Sequence, residues 1–204
     1  MPEGTVESRP ETVKARVNHF LLRIANTLTI LRLLGTPALV YLLLRSVEDP
    51  DYRWIALGLV AVLQTTDILD GYLARQAKGG VRERVNPTGE VLDPIADKLY
   101  INSAIITLAL IGRLELWVGA LIVTRDALIL VGWVARYLAS GIRLLPNVIG
   151  KMADSSQAVL LVVLLLQPGP TAEMLFTYVA ATLTVISGLT YAKEALTPPT
   201  ELQG

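Results

Sequence analysis

The sequence predicts an all-α integral membrane protein with six transmembrane helices, an N-terminal amphipathic surface helix and both termini in the cytoplasm. Three observations lead there. The chain has 204 residues, 52% of them hydrophobic, with a mean hydropathy of +0.51, more apolar character than a soluble domain of this length needs. That character is gathered into six runs, at 27–45, 54–73, 92–112, 116–138, 148–167 and 173–192. A hydrocarbon layer about 30 Å thick requires about 20 apolar residues per helix, so each run is of spanning length. Positive charge is the third observation, because it collects on alternate connections, and the side richer in Lys and Arg faces the cytoplasm.

Residues 1–11 are polar with two prolines and read as a tail. Over 12–25, basic and apolar positions alternate at helical spacing, as in a helix lying on a membrane surface; an extension of the first span fits the same pattern. His19 lies here and is assigned no chemistry. The first run begins near residue 27 without a small-residue cleavage site, so it is read as a span and not a signal peptide. Lys14, Arg16 and Arg23 precede it, Arg75, Lys78, Arg82 and Arg84 follow the second run, and Arg136, Arg143 and Lys151 surround the fourth-to-fifth connection. Lys193 follows the sixth. The opposite connections hold only Arg45, Arg53 and Arg113, and Trp54 and Trp117 fall at that interface as an aromatic belt would. The 76–89 connection is basic, contains glycines and ends in an Asn-Pro turn, so it reads as a cytoplasmic loop. Residues 12–196 then form one membrane domain, and 197–204, with two prolines, is a second tail. The chain has no cysteine, which excludes disulfides and thiol chemistry. Its formal net charge of zero argues against a nucleic-acid partner.

Four aspartates stand out because carboxylates near hydrocarbon are costly. On a helix, Asp67, Asp70, Gly71 and Ala74 fall at i, i+3, i+4 and i+7, which is one face. Gly89, Asp93 and Asp97 are spaced by four, again one face opening on a glycine. If the two faces meet, four negative charges share a pocket, and unpaired they would repel until some took up protons. Two divalent cations would balance them. Oxygen-only donors select a hard ion, Mg2+ or Mn2+, and hard ions favour phosphate as a further ligand. The small residues Gly71, Ala74 and Gly89 leave room for a ligand to approach the backbone, so the pattern describes a cradle for a phosphate-bearing molecule. For any single aspartate, a solvated helix cap is an equally good account; for two glycine-flanked pairs it is not.

These residues resemble the signature of the CDP-alcohol phosphotransferase family: two aspartates three apart, Gly, two residues, Ala-Arg, a spacer, Gly, then two aspartates at four-residue intervals. Here these are Asp67, Asp70, Gly71, Ala74, Arg75, Gly89, Asp93 and Asp97. The segments "NTLTILRLLGTP" (26–37) and "IGKMADSSQ" (149–157) resemble the family's first and fifth spans. The resemblance implies that Asp67, Asp70, Asp93 and Asp97 ligate the two metals, and that Asp97 is also the general base for the acceptor hydroxyl. It implies that Gly71, Ala74, Arg75 and Gly89 line the cytidine and pyrophosphate site, and that the substrate is a CDP-linked alcohol with CMP as leaving group. A homodimer in a bacterial cell membrane, its site open to the cytoplasm, is implied as well. One departure is plain: thirteen residues separate Arg75 from Gly89, more than the family usually has, which leaves Gly89 the least secure nucleotide contact.

"LDPIADK" and "GKMADSSQ" resemble the branch that uses CDP-diacylglycerol and a glycerol-type acceptor. "TRDALIL" (124–130) looks more like the cardiolipin synthases that take phosphatidylglycerol as acceptor; glycerol 3-phosphate, as in phosphatidylglycerophosphate synthases, is the alternative. Arg125 and Arg136 share a face of the fourth span, and Lys151 begins the fifth nearby, so these three are candidate acceptor contacts. A buried arginine needs an anion, and Arg125 pairing with a carboxylate such as Asp154 would equally satisfy it. Asn26, Thr29 and Arg32 make a polar stripe on the first span, placed near the site. Two other classes compete. A divalent-cation transporter would distribute acidic residues along a route, and a catalytically dead scaffold would have lost an aspartate; here all four are present and cluster at one membrane face.

Overall fold

In the computed structural model, residues 31–77, 87–140 and 148–196 are described; the side chains of 67–77, 87–97, 133, 135–140 and 194–196 lie outside that description. Six helices and no strand occur among the described residues: α1 (31–45), α2 (Asp51–Ala77), α3 (Pro87–Leu110), α4 (Leu116–Ser140), α5 (Val148–Leu166) and α6 (Pro170–Leu196). Each matches one apolar run. The expected tails at 1–11 and 197–204 and the surface helix at 12–25 lie outside the described residues.

The helices overrun the apolar runs where terminal chemistry allows. α2 starts at Asp51, whose carboxylate in the first turn complements the positive end of the helix dipole. α3 and α6 both start at a proline, which lacks the N–H that a first turn would leave unpaired. The expected 76–89 loop is therefore shorter at both ends, since α2 runs to Ala77 and α3 begins at Pro87. α3 ends in a glycine turn. Gly112 takes φ +75°, its N–H donates to the Ala109 carbonyl (3.2 Å), and that of Arg113 donates to the Leu108 carbonyl (2.9 Å), which together cap the helix.

Each helix runs opposite to the one before it. Gly35 of α1 lies against Leu63 of α2, Gly119 of α4 against Ala109 of α3, and Gly188 of α6 against Arg125 of α4. α5 packs on α2, α3 and α6, and α4 packs on α3 and α6. The turns 46–50, 111–115 and 167–169 consequently gather at one end of the bundle. The core is built of Leu39, Leu43, Leu63, Ile105, Leu108, Ile122, Leu160 and Leu161, with small residues such as Ala56, Ala104 and Ala180 between them. In lipid, burying a leucine against another helix gains little over leaving it in acyl chains, so close approach at small residues carries the packing.

All six helices also expose large apolar side chains, among them Leu34, Val62, Ile106, Leu128, Val159 and Leu189. Apolar cover on every side suits hydrocarbon. Among the described residues, Val148–Leu166 and Pro170–Lys193 are long and apolar enough to cross a membrane.

Gly119 offers a test of the packing. A Cβ there would lie 3.0 Å from the Ala109 Cβ, so Gly119→Val is expected to destabilise the bundle by about 1–3 kcal/mol. Thermal unfolding in detergent measures this; an unchanged midpoint would refute close α3–α4 packing.

Candidate active site

Asp67, Asp70, Gly71, Ala74 and Arg75 all lie on α2, and Gly89, Asp93 and Asp97 all lie on α3. The helical spacing used to place each set on one face therefore holds for the backbone. Their side chains lie outside the described residues. The nearest described contact between the two helices lies one turn away. Gln64 of α2 donates from its amide nitrogen to the Tyr100 hydroxyl of α3 at 3.5 Å and to the Ala158 carbonyl of α5 at 3.2 Å. Gln64 precedes Asp67 by three residues, and Tyr100 follows Asp97 by three. Because α2 and α3 are antiparallel, both aspartate pairs continue from this contact toward the same end of the bundle. At about 1.5 Å per residue, Asp67 and Asp97 stand about 4.5 Å beyond it, Asp70 about 9 Å and Asp93 about 10.5 Å.

Next to the aspartates lies a four-helix ionic network. Lys98, adjacent to Asp97, reaches Asp126 Oδ2 at 3.1 Å and Asp154 Oδ1 at 2.6 Å through its Nζ. Arg125 donates from Nη1 to Asp126 Oδ1 at 2.6 Å and to Asp154 Oδ1 at 2.8 Å, and from Nη2 to the Ser187 hydroxyl. Asn102 adds a donor to Asp126 Oδ2 at 3.3 Å, and the guanidinium lies 5.8 Å from the Tyr191 ring centre. Asp126 is 1% exposed and Arg125 5% exposed, whereas Asp154 is 42% exposed. Two cations balance two anions, which is the condition under which buried charge is tolerated. Both carboxylates are shared by both cations, and Asp154, which meets them through Oδ1 alone, is the more open of the two.

This network bears on the metal question. Lys98, the lysine nearest Asp97 in sequence, is committed to Asp126 and Asp154, and Arg125 to the same pair. Among the described residues these two cations are balanced by that pair. Four carboxylates are an all-oxygen donor set, of the chemistry that suits hard divalent ions.

Of the expected acceptor contacts, Arg125 is buried and paired with Asp126 and Asp154, so its partner within the fold is the carboxylate pairing weighed from sequence. Lys151 is exposed on the first turn of α5, one turn before Asp154. Arg136 lies on α4 with its side chain outside the described residues. Arg32 of the first-span stripe is buried, and Asn26 and Thr29 lie outside the described residues.

Sequence reasoning missed Asp126, Asn102, Ser187 and Lys98 as a unit. The i,i+4 spacing of Lys98 and Asn102 is the one local signal, since it puts two donors on one face of α3. It missed Gln157 too. Gln157 is fully buried on α5, one turn beyond Asp154, and neither atom of its amide has a hydrogen-bond partner among the described residues. An unpaired buried amide costs about 1–3 kcal/mol, so the wall beneath the network retains unused polar capacity.

A family model described as CDP-alcohol phosphatidyltransferase matches residues 22–186. A probable phosphatidylglycerophosphate synthase of Mycobacterium tuberculosis is 35% identical over 195 residues, covering 94% of this chain and 90% of that protein. A cardiolipin synthase (CMP-forming) of Streptomyces coelicolor is 36% identical over 112 residues, 54% of this chain and 50% of its own. A CDP-diacylglycerol--glycerol-3-phosphate 3-phosphatidyltransferase of Bacillus subtilis is 29% identical over 148 residues, 65% of this chain and 69% of its own.

Proposed function

The chain belongs to the CDP-alcohol phosphatidyltransferase family, and from that premise we propose that it moves a phosphatidyl group from CDP-diacylglycerol to a glycerol-type acceptor, releasing CMP. The observation that carries the proposal is that the two aspartate pairs, Asp67/Asp70 and Asp93/Asp97, each lie on one continuous helix, α2 and α3, whose Gln64 and Tyr100 are in hydrogen-bond contact one turn away. Asp67, Asp70, Asp93 and Asp97 would hold two divalent cations, Mg2+ or Mn2+, which when bound would neutralise the pyrophosphate and polarise the phosphorus. Gly71, Ala74, Arg75 and Gly89 receive the cytidine and pyrophosphate. Asp97 takes the proton from the acceptor hydroxyl. That oxygen then bonds to the phosphorus nearer the lipid, the bond from that phosphorus to the CMP oxygen breaks, and CMP departs with its electron pair.

The acceptor binds beside the ionic network. Arg125 and Lys98 share Asp154 as their most open partner, so an acceptor phosphate or phosphodiester takes the place of that carboxylate, with Arg136 and Lys151 at the mouth. Phosphatidylglycerol is the acceptor favoured by the Arg125-Asp126 pair in "TRDALIL". Glycerol 3-phosphate is favoured by the near full-length identity to a protein named as a phosphatidylglycerophosphate synthase. Both names occur among the relatives, so the assay assigns the acceptor.

Residues 12–196 act as one membrane domain with six spans, an N-terminal surface helix, both termini and the aspartate end in the cytoplasm, and a second copy as partner in a homodimer. The decisive experiment supplies purified protein with CDP-diacylglycerol and Mn2+, and offers phosphatidylglycerol, glycerol 3-phosphate or inositol 1-phosphate separately. CMP release is expected with one of the two glycerol acceptors and not with inositol 1-phosphate, and a chelator is expected to stop it. Silence with both glycerol acceptors would sink the reading.

A further inference from the structure

At the end of the bundle opposite the aspartates, the three turns enclose a cavity of about 270 Å3. Arg53, Arg113, Ser46, Gln167, Leu108 and Leu165 are among the residues that line it. At about 30 Å3 per water this is room for about nine waters, enough for a phosphate with its glycerol but not for acyl chains.

Its charge is one-sided. The Arg53 guanidinium has no carboxylate partner among the described residues; it lies 5.0 Å from the centre of the Trp54 ring. Arg113 meets Glu173 only at 3.5 Å, through Nη2. The Nε atoms of both arginines are buried without a hydrogen-bond partner among the described residues. The nearby Glu48 is taken by Arg45, and Asp49 accepts the N–H of Asp51 at 3.0 Å. Gln167, which also lines the cavity, follows the last residue of α5 and holds φ +53° as the left-handed cap of that helix, its N–H donating to the Val163 carbonyl at 3.0 Å.

Guanidinium groups offer only donors, in a planar fork that matches a tetrahedral oxyanion. The setting narrows the source of that oxyanion. Trp54 and Trp117 are exposed at this end of the bundle, where indole rings sit at headgroup depth. The apolar side of the cavity, Leu108 and Leu165, suits a glycerol backbone, and exposed apolar helix faces lie outside it for acyl chains. We propose that this cavity is a second, non-catalytic site in which Arg53 and Arg113 hold the phosphodiester oxyanion of an anionic phospholipid. It is separate from the aspartates, and it stands whether or not the transferase reading does.

Trp54 is its reporter. With Trp117 and Trp133 changed to Phe, the full-length protein in a neutral detergent carries one indole, stacked by Arg53. Titration with dihexanoyl phosphatidylglycerol is expected to change its fluorescence saturably, and Arg53→Gln is expected to weaken the apparent affinity by about tenfold or more while CMP release persists. Glu173→Gln, which frees Arg113 from its competing carboxylate, is expected to tighten binding, so the site is testable even if Arg53→Gln does not fold. Inorganic phosphate saturating as strongly as the lipid would support the oxyanion site with free phosphate as its ligand. No saturable change with either anion would overturn the proposal, as would an equal response to dihexanoylglycerol, which lacks the phosphate, or titrations unchanged by both substitutions.

Discussion

Asp97→Asn is expected to reduce CMP release by about 10²–10⁴-fold, the range attributed to a positioned general base, while metal-dependent binding of CDP-diacylglycerol persists. The amide keeps an oxygen able to ligate a cation and loses the capacity to take a proton. The two functions assigned to Asp97 are therefore separated by one substitution: binding reports the ligand role, turnover the base role. Equilibrium binding of CDP-diacylglycerol with and without Mn2+, set beside CMP release, makes the comparison. Turnover at the normal rate would remove Asp97 as base. Loss of binding together with turnover would place its main contribution in holding the metals.

The second large effect concerns stability. Asp126 is 1% exposed and faces Arg125 at 2.6 Å and Lys98 at 3.1 Å. Asp126→Ala leaves two cations sharing the single carboxylate of Asp154, and an unbalanced buried charge costs about 3–5 kcal/mol. The double variant Arg125→Met/Asp126→Ala restores balance between Lys98 and Asp154, so it is expected to be more stable than Asp126→Ala alone, a non-additivity that reports direct coupling. Thermal unfolding of the three proteins in one detergent provides the measurement. A loss within about 0.5 kcal/mol for Asp126→Ala, the size of an ordinary surface change, would mean that the network is not a structural unit.

Much of the helical layout was legible because it depends on short-range rules. Six apolar runs became six helices, and the spacing of Asp67 with Asp70 and of Asp93 with Asp97 falls on continuous α2 and α3. Boundaries shifted where polar chemistry at helix ends outweighed hydropathy. Asp51, Pro87 and Pro170 all extend helices past their apolar runs, since a first turn accepts an acidic residue or a residue without an N–H. The charged network was legible only in fragments. Arg125 with Asp154 was weighed from sequence as one of two partners, but nothing local indicates that Lys98 meets Asp126 and Asp154, 28 and 56 positions away.

By itself, the sequence determined the helical class, the six helices of the described residues, and two pairs of aspartates each at helical spacing on one segment, because hydropathy and the 3.6-residue period act within a single segment. Only the tertiary structure decided which of the described charges neutralise one another, that Gln64 of α2 meets Tyr100 of α3, and that Arg53 and Arg113 converge on a cavity at the far end. The physical reason is that a charge buried among helices takes its partner from whichever neighbour packing delivers. Packing among six apolar helices is decided by close contacts such as Gly119 on Ala109 and not by the pattern along any one of them.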